Sequence, residues 1–382
     1  MEDIKNFKYI IVGAGFFGAT MAECISRELE EAVLVLEKRS HIGGNCYSEI
    51  DAQTGIECHQ YGSHIFHTNV KKVWDYLHRF TSFNHYRHKV LTEYQGRVYQ
   101  MPINLSTINN FYQLNLKPDE VEEFLKKESQ KTNVIEPTNF EERGLFLIGR
   151  PLYEAFIKGY TLKQWGTDPK KLPAEILMRI PVRKNYLADY FDDPYQGIPI
   201  GGYTEIFNKM LASDKIKVEC NVDFFDVRDR VSENATIIYT GPIDRFFNYK
   251  FGQLGWRTLT FEKEVFLTLE DFQGTSVMNK ADIDVPYTRI HEFKHYHPER
   301  APKKGTVIFR EYSKGVTDKN DEPYYPVNTA KDKEILKKYK EESREWPNVI
   351  FAGRLGTYTY LDMDDVIHSA LTMFEQRIKR GR

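Results

Sequence analysis

The sequence predicts an α/β fold, in which a Rossmann-like dinucleotide-binding domain carries an inserted helical domain and an antiparallel β-sheet domain. A wholly apolar run at residues 9–12 leads into a glycine-rich turn and a helix, as at the start of a βαβ unit. Apolar side chains at residues 100–190 have helical spacing, whereas residues 255–312 alternate in the β manner. The strand, glycine and helix pattern returns at residues 349–353 and 364–380.

The composition narrows the class of protein. The 382 residues are enough for two or three domains at ~100–200 residues each. A net charge of −2, from 53 Lys and Arg against 55 Asp and Glu, argues against a nucleic-acid-binding protein. The N-terminal apolar run is shorter than the ~20 residues of a membrane span and has no signal-peptide layout. Four cysteines without C-x-x-C spacing indicate neither disulfides nor a zinc ribbon, so we expect a cytoplasmic enzyme.

The first turn carries a dinucleotide-binding motif. Gly13, Gly15 and Gly18 form G-x-G-x-x-G between the first strand and a helix expected at residues 19–29. These glycines permit a tight turn, the approach of a pyrophosphate and close packing of helix and strand. Glu37 ends the second strand, expected at residues 32–36, where a carboxylate can accept both ribose hydroxyls. The alternative is a glycine-rich turn without a ligand.

Two further glycine elements favour FAD over NAD. Gly43-Gly44-Asn45 follows Glu37 closely, as in flavoproteins whose backbone passes near the flavin. The late strand with Gly353-Arg354 precedes a helix whose N-terminus can stabilise negative charge on a reduced ring. We therefore expect three domains, whose segments are these: residues 1–80, 195–245 and 340–382 for FAD binding; residues 100–190 for the helical domain; and residues 81–99 and 246–339 for the antiparallel sheet.

Several longer motifs resemble those of the bacterial UDP-galactopyranose mutases. They are YGSHIFHT at residues 61–68, FIKGYTLKQWG at 156–166, VPYTR at 285–289, PYYP at 323–326 and GRLGTYTYLDMD at 353–364. The resemblance covers essentially the whole chain. It implies an isomerase that interconverts UDP-galactopyranose and UDP-galactofuranose through a covalent adduct of the sugar with N5 of reduced FAD, with no net redox change. It also implies a homodimer and a role in making galactofuranose for cell-surface polysaccharide.

The resemblance assigns residues to the diphosphate and the sugar. Arg179 and Arg289 match two arginines that clamp the diphosphate, where a guanidinium fork suits a leaving group that gains charge. Tyr325 and Tyr360 match phenols that bind phosphate oxygens. Asp362 would orient a sugar hydroxyl or a tyrosine, and it could equally cap a helix. The ordinary alternatives are surface ion pairs for the arginines and core positions for the tyrosines.

Further residues match the nucleotide-binding part of the family. Phe156 and Tyr160 match residues around the uracil, although their spacing is also common in a helix core. Trp165 fits a mobile substrate loop that runs to about residue 179. His64 and His67 fall on a loop expected beside the flavin, where a histidine could donate to the flavin or hold a proton during ring opening. The remaining substrate candidates are Thr161, Tyr190, Arg257 and Asn279.

The full set of cofactor candidates joins the glycine motifs to the family motifs. These candidates are Gly13, Gly15, Phe17, Gly18, Glu37, Lys38, Gly44, Asn45, His64, Arg354, Tyr360, Asp362 and Met363. The resemblance implies that catalysis depends on Arg179, Arg289, His64, His67, Tyr360 and Asp362. We predict no metal, because the cluster of His291, His295 and His297 lacks the fixed helical spacing of a zinc protease.

One departure and two rival functions stay open. Where relatives carry Asn before a basic residue, this chain has Tyr86-Arg87-His88-Lys89, so tolerance of other hexoses is undecided. An FAD-dependent amine or small-molecule oxidase would explain the glycine motifs equally well, but not the paired arginines and tyrosines. A non-enzymatic nucleotide-binding or scaffold protein would need none of the site residues.

Overall fold

A computed structural model describes residues 4–179, 181–318 and 321–380, without the side chains of residues 175, 178 and 179. The strands of this part are β1 (Tyr9–Val12), β2 (Val33–Leu36), β3 (Ser48–Ile50), β4 (Glu57–His59), β5 (Phe66–Thr68), β6 (Val90–Tyr94), β7 (Arg97–Met101), β8 (Tyr195–Gly197), β9 (Ile216–Glu219), β10 (Thr236–Tyr239), β11 (Trp256–Phe266), β12 (Val277–Lys280), β13 (Arg289–Glu292), β14 (Thr306–Gly315), β15 (Tyr325–Pro326) and β16 (Val349–Phe351).

The helices lie mainly between the strands of the N-terminal half and at the C-terminus. They are α1 (Phe16–Cys24), α2 (Lys71–Leu77), α3 (Leu105–Tyr112), α4 (Val121–Gln130), α5 (Phe140–Leu152), α6 (Gly159–Trp165), α7 (Tyr203–Met210), α8 (Phe224–Val227), α9 (Ile243–Phe246), α10 (Ala330–Glu342), α11 (Gly353–Thr357) and α12 (Met363–Met373). Helices α1, α5 and α12 continue as π-helical turns at Ile25–Leu29, Tyr153–Lys158 and Phe374–Lys379. Within the described residues no helix is both long enough and apolar enough to cross a membrane.

A five-stranded parallel sheet organises the first and last parts of the chain. Its order is β16-β10-β1-β2-β9, and every neighbouring pair runs parallel. The strands are short apolar runs because both faces are covered: α1, α7 and α12 bury one face, and the cluster around Phe224 and Phe246 buries the other. The predicted Rossmann-like fold is confirmed. The predicted domain boundaries remain a proposal.

A seven-stranded sheet forms the second layer, in the order β15-β11-β14-β13-β12-β6-β7. Its neighbours are antiparallel, as predicted, except that β12 and β6 run parallel. The predicted antiparallel sheet domain is thus present, with one parallel pair. Strand β6 precedes the helical region whereas β12 follows it, so no short hairpin turn fixes their relative direction.

Helices α3 to α6 form the predicted helical insertion between β7 and β8. Their apolar faces share one core that includes Ile108, Leu125, Leu145, Tyr153 and Phe156. Asparagine side chains cap two of these helices, with Asn104 accepting from the Thr107 N–H at 2.9 Å and Asn139 accepting from the Glu142 N–H at 3.0 Å. The helical core therefore supports α6, which carries several of the predicted substrate residues.

Candidate active site

A long cleft opens at the carboxyl ends of β1, β2, β10 and β16, where ligands of open α/β sheets bind. We call it the cofactor cleft. Most of the predicted cofactor residues line it, and these are Gly13, Gly15, Phe17, Gly18, Glu37, Lys38, Gly44, Asn45, His64, Arg354 and Met363. Tyr360 and Asp362 were predicted beside the cofactor as well, but they are not among the residues that line this cleft. Tyr360 instead stacks on Tyr325 in a neighbouring cluster of aromatic side chains, and Asp362 caps α12.

The glycines of the first turn are required by close backbone contacts. Gly13 has φ of +106°, and a Cβ there would lie 2.2 Å from the Thr240 Oγ1. A Cβ on Gly18 would lie 2.0 Å from the Gly13 carbonyl oxygen, and one on Gly44 would lie 3.2 Å from the Gly15 Cα. The two glycine turns therefore touch each other and leave bare backbone facing the cleft.

Glu37 is buried at the end of β2 and braces the turn. Its Oε2 accepts from the Ala14 N–H and its Oε1 accepts from the Arg39 N–H, both at 2.9 Å. Each carboxylate oxygen can accept a second hydrogen bond, so ribose hydroxyls could bind to the same group. The predicted ribose acceptor thus has a structural role too.

Arg39 is a cleft residue that the sequence analysis missed. Its guanidinium lies 4.5 Å from the centre of the Tyr61 ring and donates to Glu322 and Asn45, both at 3.0 Å. Burial opposes its charge, but the Glu322 carboxylate raises the pKa of Arg39. Its Nη1 is buried without a partner among the described residues, which suits an anionic ligand in the cleft. The sequence signal that could have identified Arg39 is a basic residue two positions after Glu37, the predicted ribose acceptor.

A second group of side chains gathers around Arg289, beside the cleft. We call Tyr160, Tyr190, Arg289, Tyr325 and Tyr360 the aromatic site. Burial raises the pKa of the Tyr160, Tyr190 and Tyr325 phenols, and the nearby Arg289 charge opposes that rise at each one. The rings of Tyr325 and Tyr360 stack with centres 5.6 Å apart. Buried phenols beside a cation stay protonated at neutral pH, so they can donate to an anion.

Arg354 joins the cleft to the aromatic site. It lines the cleft, and its guanidinium lies 5.6 Å from the ring centre of Tyr325 and 5.1 Å from that of Tyr360. Its Nε donates to the Leu361 carbonyl at 3.0 Å. The same side chain thus contacts the tyrosines predicted to bind phosphate and faces the predicted flavin position.

A buried carboxylate fixes Arg289. The Arg289 Nε donates to the Glu311 Oε1 at 2.8 Å, while His291 Nε2 lies 3.0 Å from the Glu311 Oε2. Burial opposes ionisation of Glu311, but the Arg289 charge lowers its pKa to about 2. The Arg289 side chain is 26% exposed, whereas Glu311 is 1% exposed, so the arginine is the part of the pair that a ligand can reach. Glu311 and His291 were missed as site residues.

Two cations anchor α6, the helix that carries Tyr160. The Lys163 ammonium donates to four backbone carbonyl oxygens, of Lys280, Asp282, Val285 and Tyr287, at 2.7 to 3.2 Å. Arg257, predicted to bind substrate, instead donates to the Gln164 carbonyl at 2.9 Å and the Lys163 carbonyl at 3.2 Å. Both contacts hold the end of α6 against the large sheet. The predicted substrate role of Arg257 remains a prediction.

Other substrate candidates differ in position. Asn279 pairs with Arg289 on the neighbouring strand, and its predicted place near the nucleotide or sugar remains a prediction. Phe156 is buried against Tyr99 and Phe111, so its described contacts are those of a core residue. It lies in a π-helical turn, not on one regular helix with Tyr160. Thr161 is buried within α6, and Trp165 is its half-buried last residue.

The two loop histidines have different surroundings. His64 lines the cleft, and its Nδ1 lies 2.8 Å from the Gly62 carbonyl oxygen. Burial lowers the pKa of His64 to about 4, so the neutral ring donates through Nδ1 and presents Nε2 as an acceptor. His67 instead bonds Asp193 at 2.7 Å and stacks on Phe191 with ring centres 3.6 Å apart. Only His64 has the predicted cleft position.

The remaining predictions are resolved unevenly. Asp362 occupies the N-cap position of α12, and its backbone N–H donates to Asp365 at 3.3 Å, in agreement with the helix-cap alternative. Arg179 ends a short 3-10 helix, but its side chain lies outside the described residues. In the departing segment, His88 is buried beside Tyr190, and burial lowers its pKa to about 3. His88 therefore borders the aromatic site as an uncharged side chain.

The three histidines considered for a metal bind separate partners. His291 bonds Glu311, and His297 bonds Glu299 at 2.9 Å. His295 lies with Asp271 and Glu292, an arrangement that could hold an ion. Glu292 is already bonded by two backbone N–H groups and Thr306, so its oxygens are occupied by protein donors. The prediction of no metal remains a prediction.

Comparison with known proteins identifies the family. A family model described as UDP-galactopyranose mutase matches residues 155–360, and one described as NAD(P)-binding Rossmann-like domain matches residues 11–80. A protein of Klebsiella pneumoniae named "Probable UDP-galactopyranose mutase" is 42% identical over 96% of this chain and 94% of its own length. This chain belongs to the UDP-galactopyranose mutase family.

A second curated relative and a solved structure are also similar to this chain. A "dTDP-fucopyranose mutase" of Escherichia coli is 40% identical over 98% of this chain and 99% of its own. A solved structure of reduced UDP-galactopyranose mutase has a TM-score of 0.77 and 15% identity, and covers 98% of this chain and 96% of its own. At that identity the structure shows the fold alone. Membership of a mutase family implies an isomerase with a flavin cofactor, so the oxidase and scaffold alternatives are not supported.

Proposed function

We propose that this protein interconverts UDP-galactopyranose and UDP-galactofuranose with reduced FAD as cofactor and without net redox change. The observation that carries the proposal is that Arg354 lines the cofactor cleft and also contacts the aromatic site. A cluster of protonated phenols and a fixed arginine therefore lies beside the cleft. An oxidase for an uncharged amine has no use for such an anion-binding cluster. The relatives named as nucleotide-sugar mutases support the same substrate class.

The cleft residues fit FAD. The touching glycine turns leave backbone free for a pyrophosphate, Glu37 has acceptor capacity for a ribose, and the unpartnered Arg39 Nη1 suits a phosphate or a ribose oxygen. Reduced flavin, when bound, supplies a nucleophilic nitrogen that the side chains of the aromatic site do not offer.

The side chains of this chain bind and orient the nucleotide sugar. Arg289 offers its terminal nitrogens to the diphosphate, whose charge grows as the bond to the anomeric carbon weakens. Tyr325 and Tyr360 donate to phosphate oxygens. His64 keeps a neutral Nε2 in the cleft, where it can accept a hydrogen bond from the cofactor or the substrate. Arg179 would supply the second arginine of the clamp.

A second substrate pair deserves the same test. The chain is nearly as similar to the dTDP-fucopyranose mutase as to the probable UDP-galactopyranose mutase, at 40% and 42% identity. Thymine adds a methyl group to uracil, dTDP lacks the ribose 2′-hydroxyl, and fucose lacks the 6-hydroxyl of galactose. UDP-galactose is the primary proposal because the family model that matches residues 155–360 carries that description. We also propose a cytoplasmic homodimer, from the family resemblance alone.

The deciding experiment measures isomerisation without redox. Purified protein should show bound flavin in its visible spectrum, and the dithionite-reduced enzyme should convert UDP-galactofuranose to UDP-galactopyranose without consuming oxygen or hydride. dTDP-fucofuranose is assayed in parallel, and the larger kcat/KM decides between the two substrate pairs. Full turnover by stably oxidised enzyme would contradict the role of reduced flavin. Oxygen consumption with an amine and no isomerisation would restore the oxidase alternative.

A further inference from the structure

A chain of buried hydrogen bonds leads from the Arg289 guanidinium to the loop that carries His64. The Ser63 Oγ lies 2.5 Å from the His291 Nδ1, and the His291 Nε2 lies 3.0 Å from the Glu311 Oε2. Tyr296 donates to the Ser63 oxygen from the other side. Ser63 lies between Gly62 and His64, and His64 lines the cofactor cleft. One continuous set of contacts therefore joins the two halves of the site.

Elementary donor and acceptor rules fix the direction of this chain. Glu311 is ionised and can only accept, so both Arg289 Nε and His291 Nε2 must donate to it. Burial lowers the pKa of His291, and the neutral ring then has an unprotonated Nδ1 that accepts from the Ser63 hydroxyl. Every donor points toward the Glu311 carboxylate. A chain with one allowed direction holds its members in one arrangement.

The loop also runs close to Glu311 at Gly62. Gly62 has φ of +88°, and a Cβ there would lie 3.4 Å from the Glu311 Oε2 and 3.2 Å from the Phe261 ring. Glu311 and His291 are essentially excluded from solvent, at 1% and 0% exposure. Water cannot readily replace a lost partner, so breaking one bond leaves a buried polar group unsatisfied. The turn before His64 thus leaves no free space for a side chain between Gly62 and the carboxylate that orients Arg289.

We propose that Glu311 and His291 are positioning residues, which couple the Arg289 guanidinium to the position of the Gly62-Ser63-His64 loop. An anion that binds Arg289 then also stabilises the loop facing the cofactor cleft. This inference rests on the proposed function for the identity of the anion, a nucleoside diphosphate. The coupling itself concerns only the protein.

Glu292 provides a matched control on the adjacent strand. It is also a fully buried carboxylate of the same sheet, and it accepts from the backbone N–H groups of Phe272 and Gln273 at 2.9 Å and from Thr306 at 2.5 Å. None of these partners belongs to the aromatic site or to the His64 loop. Glu292→Gln therefore reports the general cost of neutralising a buried carboxylate of this sheet.

The first measurement is amide hydrogen exchange of flavin-loaded protein without nucleotide. Glu311→Gln and His291→Phe should speed exchange at residues 62–66 by roughly 10-fold or more, because the loop loses its buried partners. Glu292→Gln should leave that segment unchanged. Ser63→Ala, which removes only one hydroxyl, covers the case in which the other variants fold poorly. Unchanged exchange in every folded variant of Glu311, His291 and Ser63 would overturn the proposal. Equal acceleration in Glu292→Gln would overturn it as well.

The second measurement separates positioning from stability by kinetics. Ser63→Ala should lower kcat by roughly 10-fold while KM stays within about 3-fold, because misplacement of reacting groups affects the transition state most. In an Arg289→Lys background, Ser63→Ala should lower kcat much less, because the hydrogen-bond chain acts through the guanidinium. Additive effects would contradict the coupling. If wild-type protein turns over neither nucleotide sugar, the proposed function fails. The exchange result still decides whether Glu311 and His291 couple Arg289 to the Gly62-Ser63-His64 loop.

Discussion

The cofactor cleft and the aromatic site lie side by side but are built in different ways. At the predicted pyrophosphate position the cleft is lined by backbone, because two glycine turns meet there and the Glu37 carboxylate braces the first of them. The aromatic site is made of side chains from α6, β13, β15 and the loops before β8 and α12, held by a buried charge network. A backbone site depends on local sequence, whereas a side-chain site depends on tertiary contacts.

The largest expected effect comes from the carboxylate that serves both the backbone of the cleft and its ligand. Glu37→Lys removes two acceptors for backbone N–H groups and the predicted ribose contact, at ~1.5–3 kcal/mol for each charge-assisted bond. We expect protein purified from this variant to contain almost no flavin. The visible spectrum and the flavin-to-protein ratio measure it. Full flavin content in the purified variant would refute the ribose assignment.

The next effect tests the aromatic site alone. Arg289→Ala should lose ~10²–10³-fold in turnover, which is the scale for removing one preorganised charge-stabilising donor. The variant should keep its flavin. We expect the variant to fold because Glu311 still accepts from His291 and Thr288. Steady-state kinetics and flavin content measure the two parts, and Arg179→Ala should behave in the same way.

Two variants calibrate the arginine result. Arg289→Lys should recover only part of the loss, since an ammonium cannot reproduce the planar fork. Arg310→Ala removes an arginine of the neighbouring strand that pairs with Glu264, and it should leave turnover nearly unchanged. Equal losses in Arg289→Ala and Arg310→Ala, or normal turnover without Arg289, would contradict the diphosphate clamp.

These two regions also explain what the sequence could predict. The glycine motif, Glu37 and the flanking strands are contiguous, so their structure follows from local pattern. Glu311 is different, because its role depends on β13 and β14 pairing so that Arg289 lies opposite it. The sequence signal that could have identified Glu311 is a carboxylate on the same strand face as Val307 and Phe309, where an apolar residue is expected. Periodicity alone does not say which cation will neutralise it.

Some predicted residues had two possible roles that only tertiary structure could separate. Arg257 was predicted at the substrate, yet it donates to the Lys163 and Gln164 carbonyls of α6, because Gly166 leaves room for the Arg257 guanidinium at the helix end. Asp362 caps α12. His67 turns to Asp193 while His64 faces the cleft. In each case the residue type suits both roles, and the packing of distant segments decides which contact forms.

The buried histidines predict a pH effect that spans both regions. Burial lowers the pKa of His59 to about 3 from an ordinary value of 6.5. The unfolded chain therefore binds this proton first, so the free energy of unfolding falls as pH drops from 6.5 toward 3, by up to ~1.4 kcal/mol per pH unit for one proton. His59→Phe should make urea unfolding less dependent on pH in this range.

His295 supplies a control of opposite sign. Burial opposes its charge, but the Glu292 contact raises the pKa of His295, so its stabilising contribution is present at low pH and lost as pH rises. That contribution changes only above pH 6.5, so His295→Phe should lower stability in the acid range by a constant amount and leave the slope there unchanged, whereas His59→Phe should flatten the slope. The same slope in both variants would show that buried neutral histidines do not govern the acid range.

The smallest effect separates a hydroxyl from its ring within the aromatic site. Tyr325→Phe keeps the stack on Tyr360 and the contact with Arg354 but removes the group predicted to donate to a phosphate. One such bond contributes ~0.5–1.5 kcal/mol, which is roughly a 2- to 10-fold loss in UDP affinity. Tyr312→Phe removes a hydroxyl that bonds Glu262 on the outside of the same sheet, so it should leave UDP binding unchanged. Calorimetry of UDP binding to the reduced enzyme measures both. Unchanged UDP affinity in Tyr325→Phe would mean that Tyr325 acts through its ring alone, and the aromatic site would then recognise its ligand by shape and by Arg289. An equal loss in Tyr312→Phe would mean that removing a hydroxyl from this sheet lowers UDP affinity indirectly, and the phosphate contact of Tyr325 would be contradicted.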